Sequence, residues 1–422
     1  MSVTRLGIDF GTTNSVAVLA TPDGVTRTLR FGHGDEPDSE TCRTLLCLWA
    51  EPGRAGLQDA IGQAAIEAYL DDPGESRLIM SMKSYLAQAS FRETRLLGRT
   101  MTLESLVARF LAALMRAGGI DPASVATTVG RPVRFAGDLA DDELGCARLR
   151  EGFRQAGFGA VALALEPEAA GWRFLQLLDG PATVLVGDFG GGTSDFSVLR
   201  FDPSARTAVT PLGHAGVGIA GDQFDSRIID RVVSPLLGRD GSYRIMGGET
   251  LPMPAEWYSS LSRWHRLSLM RTPATLRAIA DVARHAADPA PLHRLVRLIE
   301  DQQGHALYRA VGRAKTALSQ GQEGRLTFAH RDLSIDAIIT RSAFEAWIAP
   351  DLARLDAAIG QALDRAGLGA PAIDQVFLTG GTSFVPAVRR LFERRFGAAR
   401  IACGGEFVSV AEGLALMRAP DA

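Results

Sequence analysis

Two stretches of the chain share one pattern of apolar and polar positions. In LGIDFGTTNSVAVL (6–19) an apolar run carries Asp9, turns at residues 11–14 and returns with alternating polarity. In LVGDFGGGTSDFSVL (185–199) a similar run carries Asp188, turns at the glycines 190–192 and returns. Apolar runs on both sides of a short glycine-containing turn are typical of two antiparallel strands. The sequence therefore predicts two similar β-hairpins, half a chain apart.

The segment 235–310 has a helical period instead. LRAIADVARHA (276–286) and PLHRLVRLIEDQQGHALYRAVGRAKTAL (291–318) repeat apolar positions every three to four residues, and the proline-containing stretches LPMPAE, RTPA and ADPAPL separate the predicted helices. Between Arg263 and Arg313 there are nine arginines and four acids. A basic partner-binding surface is one interpretation. A solvated helical face in an arginine-rich chain is the other, and we favour it.

Length and charge narrow the function classes. With 422 residues, of which 46% are hydrophobic and 22% charged, the chain exceeds one compact core, so two lobes are expected. A formal net charge of −3 gives no overall basic field, and we expect neither a nucleic acid nor a membrane as partner. We find no signal segment, no apolar run of about 18 residues and no C-x-x-C pair. A cytoplasmic location is expected.

Lysine is almost missing from the chain. Of its 45 basic residues only Lys83 and Lys315 are lysine, and Asn14 is the single asparagine. Lysine is a compact point charge on a flexible stem, so a tight phosphate or ribose site can prefer it to arginine. Chance survival of two lysines is the alternative explanation.

The two hairpins carry chemistry suited to polyphosphate. Glycines let the backbone approach a ligand, and successive N–H groups in a turn form an anion-binding hollow. Threonine hydroxyls add donors, and an aspartate at a strand end can hold hydrated Mg²⁺. Ordinary Asp-Gly turns, in which the carboxylate only bonds local backbone, are the alternative. Two copies favour a pair of related lobes that bind one polyphosphate.

The ordered motifs resemble the ATPase domain of the DnaK-type heat-shock chaperones, the 70-kDa heat-shock family within the actin-like ATPase superfamily. The resemblance runs from residue 6 to about 417. It rests on the motifs IDFGTTNS, SMKSYLA with Lys83, ALEPEAAG with Glu166, GDFGGGTSD, GRAKTALS with Lys315, and VFLTGGTSFVPAVRRLF. Both lysines and the asparagine fall inside these motifs.

The resemblance implies an α/β, two-lobed actin-like (ribonuclease H-like) fold with duplicated lobes around a nucleotide cleft. Lobe I is expected at 1–180, with an outer insertion near 35–100, and lobe II at 181–422, with an outer part near 226–340. The chain ends where the family's ATPase domain ends, so no peptide-binding domain is expected in it.

The resemblance also implies Mg²⁺-dependent hydrolysis of ATP to ADP, slow and coupled to lobe closure, with ATP/ADP and Mg²⁺ as cofactors and an unidentified protein partner or co-chaperone. The implied catalytic residues are Lys83, Glu166, Asp195 and Thr193, and the implied metal residues, mostly through water, are Asp9, Asp188 and Glu166. The implied nucleotide-binding residues are Gly11, Thr12, Thr13, Asn14, Gly190, Gly191, Gly192, Thr193, Gly221, Asp222, Lys315, Thr316, Ser319, Gly380, Gly381, Thr382 and Phe384.

The chain departs from the family pattern at several positions. Phe384 replaces an arginine that stacks on adenine, and Gly312 and Thr316 replace the charged neighbours of the nucleoside-binding lysine. Pro132 lies where the family has a switch proline, but the arginine expected downstream has only Cys146 or Arg148 nearby. Base preference and interdomain relay therefore stay open.

Two other function classes also remain open. One is a sugar or metabolite kinase, or a filament-forming actin relative. The other is a nucleotide-sensing module with little turnover. EPEAAG and GRAKTALS resemble the chaperone branch rather than the kinases.

Overall fold

The structure is a computed structural model that describes residues 4–32, 39–51, 53–54, 56–72, 75–136, 139–175, 180–202, 209–245, 248–267, 270–403 and 408–417. The strands are β1 (Arg5–Phe10), β2 (Asn14–Ala20), β3 (Thr26–Thr28), β4 (Cys42–Arg43), β5 (Leu45–Ala50), β6 (Leu57–Ile61), β7 (Ser76–Met80), β8 (Glu93–Leu96), β9 (Arg99–Thr102), β10 (Ala126–Arg131), β11 (Val161–Leu165), β12 (Ala182–Phe189), β13 (Ser194–Phe201), β14 (Val209–Val217), β15 (Ser242–Arg244), β16 (Thr250–Pro252), β17 (Glu323–His330), β18 (Leu333–Thr340), β19 (Gln375–Thr379) and β20 (Ile401–Cys403).

The helices are α1 (Gly62–Asp71), α2 (Leu103–Gly118), α3 (Asp142–Gln155), α4 (Glu166–Leu175), α5 (Gly221–Ile228), α6 (Ala255–Leu261), α7 (Trp264–Leu267), α8 (Pro273–Ala283), α9 (Ala290–Glu300), α10 (Gly304–Gln320), α11 (Arg341–Ala366), α12 (Pro386–Phe396) and α13 (Ser409–Leu416). Two short 3-10 turns, Met82–Tyr85 and Gly381–Phe384, lie in motifs that the sequence singled out.

Two sheets repeat one topology. In the first, the order is β11-β10-β1-β2-β3, with β4 added beside β2. In the second, the order is β20-β19-β12-β13-β14. In both sheets a central strand has parallel neighbours on one side and a hairpin partner on the other. The predicted hairpins and the α/β, actin-like (ribonuclease H-like) fold with its duplication are confirmed.

The chain divides into two compact units. Unit 1 comprises Met1–Ala220, Ala353–Phe384 and Val388–Ala422, and unit 2 comprises Gly221–Leu352 and Val385–Ala387. Both large sheets belong to unit 1. The lobe boundaries predicted from the sequence, 1–180 and 181–422, stay a prediction.

Within unit 1, α4 and α13 pack against each other between the two sheets. Helix α13 contacts β1, β2 and β10, and α4 contacts β12, β13 and β14. The helices approach so closely that a Cβ added at Gly413 would lie 1.7 Å from the carbonyl oxygen of Ala169. Small residues at this crossing therefore set the spacing of the two sheets.

Unit 2 contains the helices predicted in 235–310, with one difference. The long helix expected at 291–318 is divided into α9 and α10 by residues 301–303, where Gln302 has a φ of 55°. The carboxylate of Asp301 in this break bonds His330 Nε2 at 2.7 Å and also pairs with Arg331, both at the β17–β18 turn. A tertiary contact thus interrupts a helical sequence pattern.

The basic segment of unit 2 faces largely outward. Seven of the nine arginines between Arg263 and Arg313 are exposed. Arg284 pairs with Asp281, and Arg297 pairs with Asp332. Exposed arginines with acidic neighbours are typical of a solvated helical face. Among the described residues, no helix is both long and apolar enough to cross a bilayer.

We predict that Gly413→Ala lowers the thermal unfolding midpoint, because the added methyl must push α13 away from α4. Overpacking of this kind costs about 1–3 kcal/mol or more. Gly312→Ala is the matched control, since it is also a helical glycine and no described atom lies within 4 Å of its added Cβ. It should be neutral or stabilising by about 0.5–1 kcal/mol. The unfolding midpoints are measured by circular dichroism. Equal midpoints for the two variants would contradict the tight crossing.

Candidate functional site

Lys83 lies on the 3-10 turn Met82–Tyr85, immediately after β7. Its Nζ donates a hydrogen bond to Glu166 Oε1 at 2.5 Å, and the two side chains are 8% and 7% exposed. The turn starts at Ser81, which is buried and left-handed with a φ of 51°. An ammonium group and a carboxylate are thus paired away from solvent.

Glu166 is the first residue of α4 and directly follows β11. Its side chain passes over Gly130 of the neighbouring strand β10, where an added Cβ would lie 2.9 Å from Glu166 Cγ. Any larger residue at position 130 would displace the carboxylate. The glycine therefore leaves the space that lets Glu166 meet Lys83.

Three aspartates join this pair from the two hairpins. Asp9 lies near the end of β1, Asp188 near the end of β12, and Asp195 is the register partner of Asp188 on β13. Carboxyl ends of neighbouring parallel strands meet at one edge of a sheet, as β1, β10 and β11 do here, and such edges commonly hold binding sites. All these residues belong to unit 1. We call Asp9, Lys83, Glu166, Asp188 and Asp195 the acidic cluster.

The acidic cluster is strained electrostatically. Burial and the nearby Glu166 raise the pKa of Asp9 to about 7, partly offset by Lys83. Burial and Glu166 likewise raise the pKa of Asp195 to about 7, and the pKa of Asp188 lies well above its ordinary value for the same reasons. Burial alone would lower the pKa of Lys83, but Glu166, Asp9 and Asp188 outweigh it and raise that pKa. The cluster holds more negative charge than its lysine balances.

Asp195 is fixed by backbone donors. Its Oδ1 accepts hydrogen bonds from the N–H groups of Val133 at 3.0 Å and Arg134 at 3.4 Å. Its register partner on β14 is Gly216, where an added Cβ would lie 2.5 Å from the same oxygen. The carboxylate is therefore oriented from two sides.

The glycine turns leave a space lined by hydroxyl groups. An added Cβ at Gly192 would meet nothing closer than Thr12 Oγ1 at 3.6 Å and Ser84 Oγ at 3.8 Å among the described atoms. Gly192 is therefore required neither by a left-handed backbone conformation nor by the close approach of a neighbouring atom. Thr13 Oγ1 is buried and finds no hydrogen-bond partner among the described residues. Hydroxyls and N–H groups around an open space suit phosphate oxygens.

The predicted phosphate-binding residues gather around the two turns. Gly190 donates its N–H to the carbonyl of Thr193 at 2.9 Å, which closes the second turn. Asn14 starts β2 and pairs in register with Arg43 of β4. The other residues of the two predicted loops lie in the same turns, namely Gly11, Thr12, Thr13, Gly191 and Gly192.

The donor set fits Mg²⁺ held through water. Within the described ranges, no three His, Cys, Asp or Glu side chains lie close enough together to hold a metal ion directly. Asp9, Asp188 and Glu166 nevertheless supply hard oxygen atoms with surplus negative charge. Mg²⁺ prefers such oxygens and usually keeps several of its waters. The residues present suit a hydrated magnesium ion.

Residues of the predicted nucleoside site lie in unit 2. Lys315 Nζ donates to the carbonyl of Gly221 at 3.1 Å and to Asp225 Oδ2 at 2.9 Å, which joins α10 to α5. Thr316 and Ser319 each donate their hydroxyl to the carbonyl four residues earlier in α10. Asp222 lies in the first turn of α5. The structure brings Lys315 to Gly221, while the hydroxyls of Thr316 and Ser319 bond the backbone of their own helix.

The predicted base-contacting segment follows β19. Gly380 has a φ of 87°, and an added Cβ there would lie 2.1 Å from the carbonyl oxygen of Phe189. Gly381 starts the 3-10 turn, Thr382 is buried in it, and Phe384 at its end is 46% exposed. An exposed aromatic ring can offer a face for stacking.

Sequence reasoning did not identify several residues of the site. Gly130 and Gly216 carry no charge, and their role is the space that they leave for Glu166 and Asp195. A glycine inside a strand often marks such close approach, and that signal was present at both positions. Asp225, the partner of Lys315, and the two N–H groups that bind Asp195 gave no sequence signal.

Two comparisons with known proteins bear on the family. A family model described as Hsp70 protein matches residues 284–416. The chaperone protein HscA homolog of Methylibium petroleiphilum is 27% identical over 412 residues, which covers 91% of this chain and 53% of that protein. The chain thus spans about half the length of this curated relative. Together with the ordered motifs and the repeated sheet topology, these similarities confirm the resemblance of the chain to the Hsp70 chaperones.

Proposed function

We propose that the chain binds ATP with Mg²⁺ and hydrolyses it slowly to ADP and phosphate. The observation that carries this proposal is the acidic cluster, in which buried Lys83 meets Glu166 among three aspartates that two similar glycine turns supply. Similarity to a chaperone of the Hsp70 family supports the same activity.

The electrostatics favour a cation as part of the site. A fully ionised acidic cluster contains four carboxylates and one ammonium group, and burial makes that surplus costly. Without a metal, partial protonation of the carboxylates lowers this excess negative charge. Bound Mg²⁺ would supply the same relief and would neutralise charge that develops on the phosphate oxygens.

Each residue type then has a task in positioning. Thr12, Thr13 and Thr193, with the N–H groups of both turns, bind the β- and γ-phosphates. Lys83 holds the attacking water and the γ-phosphate in line and stabilises the negative charge of the transition state. Asp195, which two backbone N–H groups orient, positions the water or accepts its proton. No covalent intermediate is required.

The nucleoside part of the proposal rests on Phe384, whose exposed ring would stack on the base. The assignment of Lys315 to the ribose comes from the family resemblance alone. A ring without hydrogen-bond donors distinguishes bases weakly, so we expect modest preference for adenine. Lobe closure driven by different contacts with ATP and ADP belongs to the same proposal.

We predict that Lys83→Ala reduces single-turnover ATP hydrolysis by about 100- to 1000-fold, the scale of losing one preorganised charge, while nucleotide affinity changes little. Arg284→Ala is the control, since it removes an exposed cation that pairs with Asp281 in unit 2 and should keep hydrolysis unchanged. Unmodified protein that binds ATP tightly without turnover would instead indicate a sensing module. Phosphate transfer to an added sugar would indicate a kinase.

We predict that Gly130→Ala lowers hydrolysis by about tenfold or more without changing any charge, because the added methyl displaces Glu166 from Lys83. The control is Gly159→Ala, whose added Cβ meets no described atom within 4 Å. Turnover and the thermal midpoint are measured for both variants. Normal turnover in a well-folded Gly130→Ala protein would show that the Lys83–Glu166 contact is dispensable.

We predict that Mg²⁺ affinity in the presence of ADP rises with pH up to about 7. Protons occupy Asp9 below its raised pKa of about 7, the pKa of Asp188 is raised as well, and Mg²⁺ binding must displace these protons. Each displaced proton gives about a tenfold change per pH unit below that value. Isothermal titration calorimetry in buffers of different ionisation enthalpy measures both affinity and proton release.

The metal prediction has a matched pair of variants. Asp188→Asn should weaken Mg²⁺ binding and lower proton release, because it removes a carboxylate of the acidic cluster. Asp230→Asn removes a half-buried carboxylate in unit 2 whose pKa burial also raises, and it should change neither. Superimposable titrations for Asp188→Asn and the unmodified protein would remove Asp188 from the metal site.

A further inference from the structure

Arg148 is a buried arginine on α3 whose contacts lie outside the acidic cluster. Its side chain is 9% exposed, and its Nε lies 3.1 Å from Glu104 Oε1 in the first turn of α2. Its Nη1 donates to the carbonyl oxygens of Tyr85 at 3.4 Å, Leu86 at 3.2 Å and Gln88 at 3.1 Å. The first of these carbonyls belongs to the last residue of the turn that carries Lys83, and the other two follow it.

Helix α3 and the residue that precedes it donate hydrogen bonds to four consecutive carbonyls. Arg148 binds those of residues 85, 86 and 88, and the N–H of Asp141 donates to the carbonyl of Ala87 at 3.0 Å. The carbonyls of residues 85 and 88 also accept backbone N–H groups, at 3.1 Å each, so the bonds from α3 matter most for those of residues 86 and 87. A buried carbonyl without a donor costs about 1–3 kcal/mol. The path of the chain after Lys83 therefore depends in part on α3.

The Lys83 turn is held by a few local bonds. Ser84 donates its N–H to the carbonyl of Ser81 at 3.0 Å, and Leu86 donates to that of Lys83 at a long 3.3 Å. Gln88 donates its backbone N–H to the carbonyl of Tyr85 at 3.1 Å and its side-chain Nε2 to that of Ser84 at 2.8 Å. The turn starts at a non-glycine residue in the left-handed region, a conformation that the surrounding structure must hold in place. A single 3-10 turn with this start needs contacts from outside to keep one geometry.

We propose that Arg148 is a positioning residue for Lys83, acting through the backbone of residues 85–88. The guanidinium group fits this task because Nη1 lies within hydrogen-bond distance of three carbonyls while Nε faces Glu104, which balances its charge. The proposal rests on the proposed function only where ATP turnover is the measurement. In the sequence, Arg148 lies near the position where the family has its relay arginine. In the structure, it instead binds the backbone beside the Lys83 turn.

The rarity of lysine allows a direct test that does not involve ATP. Protein labelled with ¹⁵N-lysine gives two backbone amide signals, from Lys83 and Lys315, and Lys315→Arg assigns them. We expect Arg148→Ala to shift or broaden the Lys83 signal and to leave the Lys315 signal unchanged. Arg109→Ala is the matched control, because Arg109 binds the carbonyl of Leu57 and pairs with Asp59 away from the Lys83 turn.

Kinetics supply the second measurement. Arg148→Ala should lower the hydrolysis rate by about 10- to 100-fold, the scale of misplacing a catalytic group, while ADP affinity stays within about twofold. Arg148→Lys keeps the charge but not the fork, so we expect a smaller loss. If Arg148→Ala fails to fold, Arg148→Lys and Glu104→Gln, which keeps the arginine, should still shift the Lys83 signal.

Distinct outcomes separate the two proposals. An unchanged Lys83 signal in folded Arg148 variants overturns the positioning role, as does an equal loss of turnover and thermal stability in Arg109→Ala. A shifted Lys83 signal in a protein that never hydrolyses ATP supports the positioning role and contradicts the proposed function.

Discussion

The buried contact between Lys83 and Glu166 is the constraint on which the arrangement of the site depends. Buried ion pairs often contribute little net stability, because desolvation offsets their attraction. Here the pair also lies among three aspartates whose pKa values it helps to set. The contact joins a 3-10 turn, the start of α4 and the ends of two hairpins. Glycines at 130 and 216 keep the space that these carboxylates occupy, so the packing is organised around charge.

The duplicated sheets carry unequal chemistry. Across the ladder from Asp188 lies Asp195, whereas the residue across from Asp9 is Val16. The second hairpin therefore contributes two carboxylates to one face, and the first contributes one. In the proposed reaction this asymmetry gives the hairpins different tasks. Both bind phosphate and metal, but only the second supplies a carboxylate to position water. Two hairpins of the same topology can therefore contribute different groups to the proposed reaction.

Local patterns made much of the fold predictable. Alternation around glycine turns predicted both hairpins, and helical periodicity predicted α8, α9 and α10. Lysine scarcity pointed to Lys83 and Lys315 before any contact was known. The break at residues 301–303 was missed because a tertiary contact of Asp301 causes it. Gly130, Gly216 and Arg148 act through neighbours 36, 21 and 60–63 residues away in the chain. A glycine inside a strand signals close approach, but no local pattern says which distant residue approaches.

The contacts of helix α4 link the two sheets to the acidic cluster. Its first residue is Glu166, its body contacts the second sheet, and its crossing with α13 at Gly413 ties it to the first sheet. The crossing is too tight to absorb sliding by repacking side chains. A shear of one sheet against the other would therefore move α4 as a rigid rod and carry the Glu166 carboxylate along its axis relative to Lys83. In this geometry, α4 converts displacement between the sheets into a change of distance at the acidic cluster.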